Sequence, residues 1–131
     1  MSSGERSGQR NTKYFFDTYA LIKIYEAASE YEPYIGATFF LTLLNLFEFH
    51  QYLLRMKDKA FADAELQNYT PHVIEFGMDT LKKASAFRHH KKRQNLSMSD
   101  CIGYTCALEN NLLFLTGDKE FKGLHGVEFV R

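Results

Sequence analysis

LLFLTGDKEF, residues 112–121, is an apolar run that stops at Gly117 and hands on a carboxylate, Asp118. Its first residues suit a buried β-strand, and the glycine followed by charged residues marks where that strand ends. A single acid at a strand tip carries little information. A second run, KYFFD (13–17), has the same shape: a short apolar strand pattern that closes on Asp17. If both strands belong to one parallel sheet, both acids leave the core at the same edge.

The rest of the chain supports such a sheet. TYALIKIYEAASEYE (18–32) repeats apolar residues at helical spacing, with Pro33 as its expected stop. YIGATFF (34–40) reads as a second strand. TLLNLFEFHQYLLRM (42–56) reads as a helix with Thr42 as N-cap, and KDKAFADAELQNY (57–69) as another. PHVIEFG (71–77) is a third strand candidate. MDTLKKASAFRHHKKRQ (78–94) is helical and increasingly basic. LSMSDCIGYTCALENN (96–111) is a helix announced by Ser97 and Asp100 in a capping-box spacing. LLFLTG (112–117) and VEFVR (127–131) complete the strands. Strands alternating with helices predict an α/β fold: a mostly parallel central sheet of four to five strands, covered on both faces in three α/β/α layers. In such sheets the working residues gather beyond the carboxyl ends of the strands.

The 131 residues fit one domain, and 45% apolar residues, with twelve Phe and eight Tyr, are enough for a core. Zero formal net charge points to no partner class. Cys101 and Cys106 have no metal or redox spacing, and on a helix they lie about 140° apart at about 100° per residue, so they read as small buried residues in a reducing compartment. The most apolar stretch, IGATFFLTLLNLFEFH, meets Asn45, Glu48 and His50 before the ~20 residues a membrane span needs. MSSGERSGQRNTK lacks an apolar signal-peptide core. Residues 1–12 read as a disordered lead-in, 13–131 as the folded domain, and the compartment as the cytoplasm.

Two further acids can join Asp17 and Asp118. Asp100 falls in the first turn of its helix, and Glu48 interrupts an apolar stretch between Phe47 and Phe49. Each has an ordinary reading: Asp17 as an N-cap, Glu48 as a solvated helix position, Asp100 as a cap partner, Asp118 as a turn residue. Together they suggest a cluster, and clustered carboxylates repel unless a cation neutralises them. Hard oxygen donors without a His or Cys set suit Mg²⁺ or Mn²⁺ rather than Zn²⁺. The chemistry that needs such a site is phosphodiester hydrolysis.

The ordered set YFFDTYALI (14–22), TLLNLFE (42–48), LSMSDCIGYTCALENN (96–111), LLFLTGDKEF (112–121) and GVEFV (126–130) resembles the PIN-domain nucleases, and among them the VapC-type toxins of toxin–antitoxin pairs. The resemblance runs from about Lys13 to Arg131. It implies a metal-dependent endoribonuclease acting on RNA, a homodimer, and an antitoxin that plugs the active site. It makes Asp17, Glu48, Asp100 and Asp118 the metal-binding catalytic acids, with Asp17 and Asp100 the most direct ligands. Thr116 corresponds to the hydroxyl residue that supports the site, and Thr18 is a second candidate for that work. Tyr104, one turn from Asp100, is a candidate for shaping the pocket. Residues 57–95 match nothing specific.

Within that middle, KKASAFRHHKKRQ (82–94) is basic throughout, with no acid between Asp79 and Asp100. It reads either as a solvated helix face or as a phosphate-tracking surface in which Arg88, Lys91, Lys92 and Arg93 contact RNA. The alternative function is a PIN-like module that binds RNA or protein without cutting. A receiver-like domain is disfavoured because Phe15 and Phe16, not acids, precede Asp17. A dinucleotide enzyme is disfavoured because no G-x-G-x-x-G follows the first strand.

Overall fold

The structure is a computed structural model that describes residues 11–91 and 95–131. Its frame is a four-stranded sheet in the order β2–β1–β3–β4, all parallel: β1 Lys13–Phe16, β2 Thr38–Phe40, β3 Leu113–Thr116 and β4 Val127–Phe129. The helices are α1 Thr18–Tyr25, α2 Leu43–Met56, α3 Lys59–Leu66, α4 Met78–His90 and α5 Met98–Glu109.

Side-chain alternation along the strands builds two cores. Phe15 and its register partner Phe114 face Cys101, Ile102, Tyr104, Ala107 and Ala84, which belong to α5 and α4. Phe16 and its partner Leu115 face the other way, onto Ala20 of α1 and Tyr31. A third cluster joins α1, α2 and α3 through Leu21, Leu46, Phe49, Leu53 and Ala62. Helices therefore cover both faces, as the three-layer expectation required. Helix α5 is buried at Ser99 and from Cys101 to Ala107 because it lies between the sheet and α4. Gly103 makes this approach possible: a Cβ there would sit 2.7 Å from Cε1 of Phe15. Cys101 and Cys106 are buried, free thiols.

Two expectations are corrected. The segment 71–77 is not a strand. Residues Gln67–His72 form a 3-10 turn, and only Val73 bridges to Leu41. Pro71 has no N–H to donate, and β2 ends at Phe40, just before Thr42 caps α2, so no strand is left to pair with. The first helix stops at Tyr25 rather than running to Pro33. Ala27 adopts φ 59°, its N–H reaches the Ile24 carbonyl at 3.0 Å, and the Ala28 N–H reaches Lys23 at 3.0 Å, a Schellman ending. The chain then turns through a 3-10 segment, Ser29–Tyr34, which buries Tyr31 against the sheet and lets its hydroxyl donate to the Val130 carbonyl at 2.5 Å. Within the stretch expected to be a lead-in, Thr12 is half-buried beside the start of β1; residues 1–10 lie outside the described residues. Among the described residues no helix is long and apolar enough to cross a membrane.

Candidate active site

The carboxyl ends of β1 and β3 carry Asp17 and Asp118 to one edge, because the two strands are parallel neighbours. The Asp17 N–H still donates to the Leu115 carbonyl at 3.2 Å, which extends the ladder by one residue. Its side chain then caps α1, taking the Ala20 N–H on Oδ1 at 2.8 Å. The other carboxylate oxygen accepts from the Thr116 hydroxyl, and Thr116 in turn accepts the Asp118 N–H at 3.0 Å. One short relay thus couples the two strand-end acids. Asp118 also caps the following 3-10 turn through Glu120 N–H at 2.9 Å. Gly117 lies between them because the Tyr19 ring covers it: a Cβ there would fall 2.0 Å from Cε1 of Tyr19.

Glu48 comes from α2, whose start is fixed by a capping box between Thr42 and Asn45. The Thr18 hydroxyl donates to Glu48 Oε1 at 2.5 Å, and the Ser99 hydroxyl to Oε2 at 2.8 Å. Asn45 Nδ2 donates to Thr18 Oγ1 at 3.2 Å, so the capping residue also steers the threonine. Asp100 sits beside Ser99 in the first turn of α5, its N–H on Ser97 Oγ at 3.0 Å. Sequence reasoning did not single out Ser99 and Asn45 for the site. Their only signal is position: each lies in the first turn of the helix that presents a candidate acid.

The electrostatics show four acids acting on one another. Asp17 is 1% exposed, and its carboxyl is pushed up to about 8. Burial is the main cause, with Asp100 and Asp118 adding to it, against the lowering effect of Thr116 and the Ala20 N–H. Asp100 is raised to about 6, again by burial first and then by Asp118 and Glu48, with Ser97 offsetting part. Among the described residues no basic side chain pairs with any of the four; the ion pairs join His50 and Lys59 to Asp63 and Lys83 to Glu109. As the side chains stand, no group of three or more among the described residues is drawn up to hold an ion. The donor set nevertheless fits one: all oxygen, with Asp17 buried and the other three half-buried, and with neighbouring acids raising the proton affinity of Asp17 and Asp100, which a hard divalent cation would relieve.

The profile of the PIN domain family matches residues 14–126. The chain belongs to the PIN domain family. Its fold is similar to that of a chain in a toxin–antitoxin complex from Klebsiella pneumoniae, with a TM-score of 0.71 and 21% identity over 88% of this chain and 95% of that one. It is also similar to a chain of VapBC2 from Rickettsia felis bound to a DNA fragment from the promoter, with a TM-score of 0.69 and 16% identity over 92% and 100% of the two chains. Among curated proteins nothing matches.

In this PIN domain the basic stretch is divided. Arg88 is exposed, but its Nε donates to the Leu96 carbonyl at 3.0 Å and braces the approach to α5. Lys91 closes α4 at its C-cap. Lys92 and Arg93 lie outside the described residues. Tyr104 is buried, and its hydroxyl donates to the His125 carbonyl at 2.6 Å, so it packs the core below the site rather than lining it. Ile22, Tyr25 and Phe39 pack half-buried against the cluster of α1, α2 and α3, whereas Phe47 is 68% exposed next to Glu48.

Proposed function

We propose that this PIN domain is a Mg²⁺- or Mn²⁺-dependent endoribonuclease whose site is Asp17, Glu48, Asp100 and Asp118, supported by Thr18 and Thr116. The observation that supports the reading is electrostatic: acids from separate segments act on one another, Asp100 and Asp118 on Asp17, and Asp118 and Glu48 on Asp100, with no basic partner among the described residues. A divalent cation, when bound, would neutralise the cluster, lower the pKa of a bound water and offset charge on a phosphate oxygen. Asp17 and Asp100, the acids with raised proton affinity, are the groups expected to hold it. The chain's own contribution is orientation. Thr116 and the Ala20 N–H fix the Asp17 carboxylate. Thr18 and Ser99 fix both oxygens of Glu48. Ser97 fixes the turn that presents Asp100. These second contacts are what keeps oxygen donors aimed when the ligands themselves repel.

The fold neighbours are toxin–antitoxin assemblies, which favours a toxin that pairs with an antitoxin protein, as a homodimer in the cytoplasm. The whole of 13–131 acts as a single domain, and Arg88, Lys91, Lys92 and Arg93 are proposed to track RNA phosphates. The test is cleavage of a mixed single-stranded RNA pool with Mg²⁺ or Mn²⁺ by the wild type, Asp17→Asn and Asp100→Asn. Metal-dependent cutting is expected for the wild type and a loss of about 100-fold or more in both variants. Cutting that survives both substitutions overturns the site. A folded, metal-loaded, partner-free protein that cuts none of many RNAs overturns the activity in favour of binding without cleavage.

A further inference from the structure

At the opposite, amino-terminal end of the sheet lies a hollow of about 470 Å³ that shares no residue with the acids. Tyr14 of β1 forms one side. Tyr34 and the loop from Ile35 to Thr38 form another, and Glu128 of β4 closes it. Glu128 is the register partner of Leu115, so it projects on the same sheet face as Phe16 and Tyr14. The rings of Tyr14 and Tyr34 meet edge to face, with centroids 5.4 Å apart and planes at 89°. Two aromatic surfaces therefore stand nearly at right angles beside one carboxylate.

The charge in this hollow is not balanced from within. Glu128 Oε2 accepts the Tyr34 hydroxyl, but among the described residues no lysine, arginine or histidine pairs with Glu128. Both tyrosine hydroxyls are held above the usual phenol range, by burial first and then by Glu128. A half-open cavity with a carboxylate that no described cation pairs disfavours anions. Its single carboxylate and two phenols are a poor cage for a hard metal ion, which wants several oxygens around it. Electron-rich ring faces next to a carboxylate suit an organic cation. Among those, a guanidinium is flat, weakly hydrated and stacks on aromatic rings, whereas an ammonium is compact and holds its water.

We propose that this hollow binds a guanidinium group, with Glu128 as counter-ion and Tyr14 and Tyr34 as stacking surfaces. The group can arrive on a small molecule or on an arginine side chain of a polypeptide; the recognition chemistry is the same.

The test is an NMR titration of the full chain with methylguanidinium, followed on the tyrosine ring resonances. Saturable shifts at Tyr14 and Tyr34 are expected, with a dissociation constant of about a millimolar, as suits so small a probe. Methylammonium should bind several-fold more weakly, and urea, which has the shape without the charge, should not saturate. Glu128→Gln keeps an acceptor for the Tyr34 hydroxyl and should weaken binding about tenfold or more. Tyr14→Leu keeps Glu128 and its tyrosine bond and should weaken it several-fold, which preserves the test if the first variant folds poorly. A blocked arginine tripeptide that binds more tightly than methylguanidinium assigns the site to a polypeptide; equal affinity assigns it to a small molecule. Equal binding of urea, unchanged affinity in Glu128→Gln, or no saturable shift overturns the proposal. None of these outcomes depends on nuclease activity.

Discussion

Replacing Asp17 with asparagine should make the metal-free protein more stable at neutral pH, although it removes a central candidate ligand. The native carboxyl is pushed up to about 8 by burial and by Asp100 and Asp118, whereas an unfolded aspartate titrates near 3.8. Between these values the folded state keeps a proton that the unfolded state has released. Stability from this group is therefore present at low pH and is lost as pH rises from about 4 to about 8. At pH 7 about three of the roughly four units between these values are already lost, which at 1.36 kcal/mol per unit amounts to at most about 4 kcal/mol. That is a large share of the roughly 5–15 kcal/mol that holds a domain together. Asparagine removes the titration and keeps an oxygen for the Ala20 N–H, while the Thr116 hydroxyl can rotate to accept from the new amide.

The assay is urea unfolding followed by circular dichroism, in chelator, at pH 4.5 and 7.5. Wild type and Asp17→Asn should nearly coincide at pH 4.5. At pH 7.5 the variant should be the more stable by a few kcal/mol, and added Mn²⁺ should close the gap by stabilising only the wild type. Equal pH slopes for the two proteins, or a variant that is the weaker at pH 7.5, would refute the claim that Asp17 sits uncompensated in a cluster of acids.

Other substitutions probe the supports. Ser99→Ala removes the donor on Glu48 Oε2 and should cut RNA cleavage about tenfold, with a melting temperature within a few degrees of wild type, since a half-buried carboxylate can take water instead. Gly117→Ala places a methyl 2.0 Å from the Tyr19 ring and should cost about 1–3 kcal/mol in urea unfolding; Tyr19→Ala in the same chain should recover most of it. Thr42→Ala removes the hydroxyl half of the capping box that starts α2 and should cost about 1 kcal/mol, and because Asn45 Oδ1 then keeps the residue-42 N–H but loses the hydroxyl, and Asn45 also steers Thr18, cleavage should fall slightly as well.

The strand tips were legible because one rule governs both: in a parallel sheet, acids that follow apolar runs emerge at one edge, and Asp17 and Asp118 do. Thr42 and Ser97 were legible as caps because capping is local chemistry, read within four residues. What escaped was of two kinds. The end of α1 depends on Ala27 in a left-handed conformation that alanine rarely takes, so Pro33 was the stronger signal in the sequence and the wrong one. The contacts of Ser99 with Glu48 and of Asn45 with Thr18 join segments 51 and 27 residues apart, and nothing local marks a serine or asparagine for such work.

The ordinary reading of these acids does not exclude the functional one. Asp17 is an N-cap and also feels the charges of Asp100 and Asp118; Asp118 caps a 3-10 turn; Asp100 stands in the first turn of α5. The caps have a physical part in the site. A helix start presents unpaired N–H groups and the positive end of its dipole, which favour negative charge nearby. By placing Asp17 at the start of α1 and Asp100 at the start of α5, the fold sets two of its carboxylates where backbone groups partly offset their repulsion. Their raised proton affinities show that the offset is incomplete. The remainder is what a bound cation would relieve, so the same first turns that order the helices also hold the cluster together in its absence.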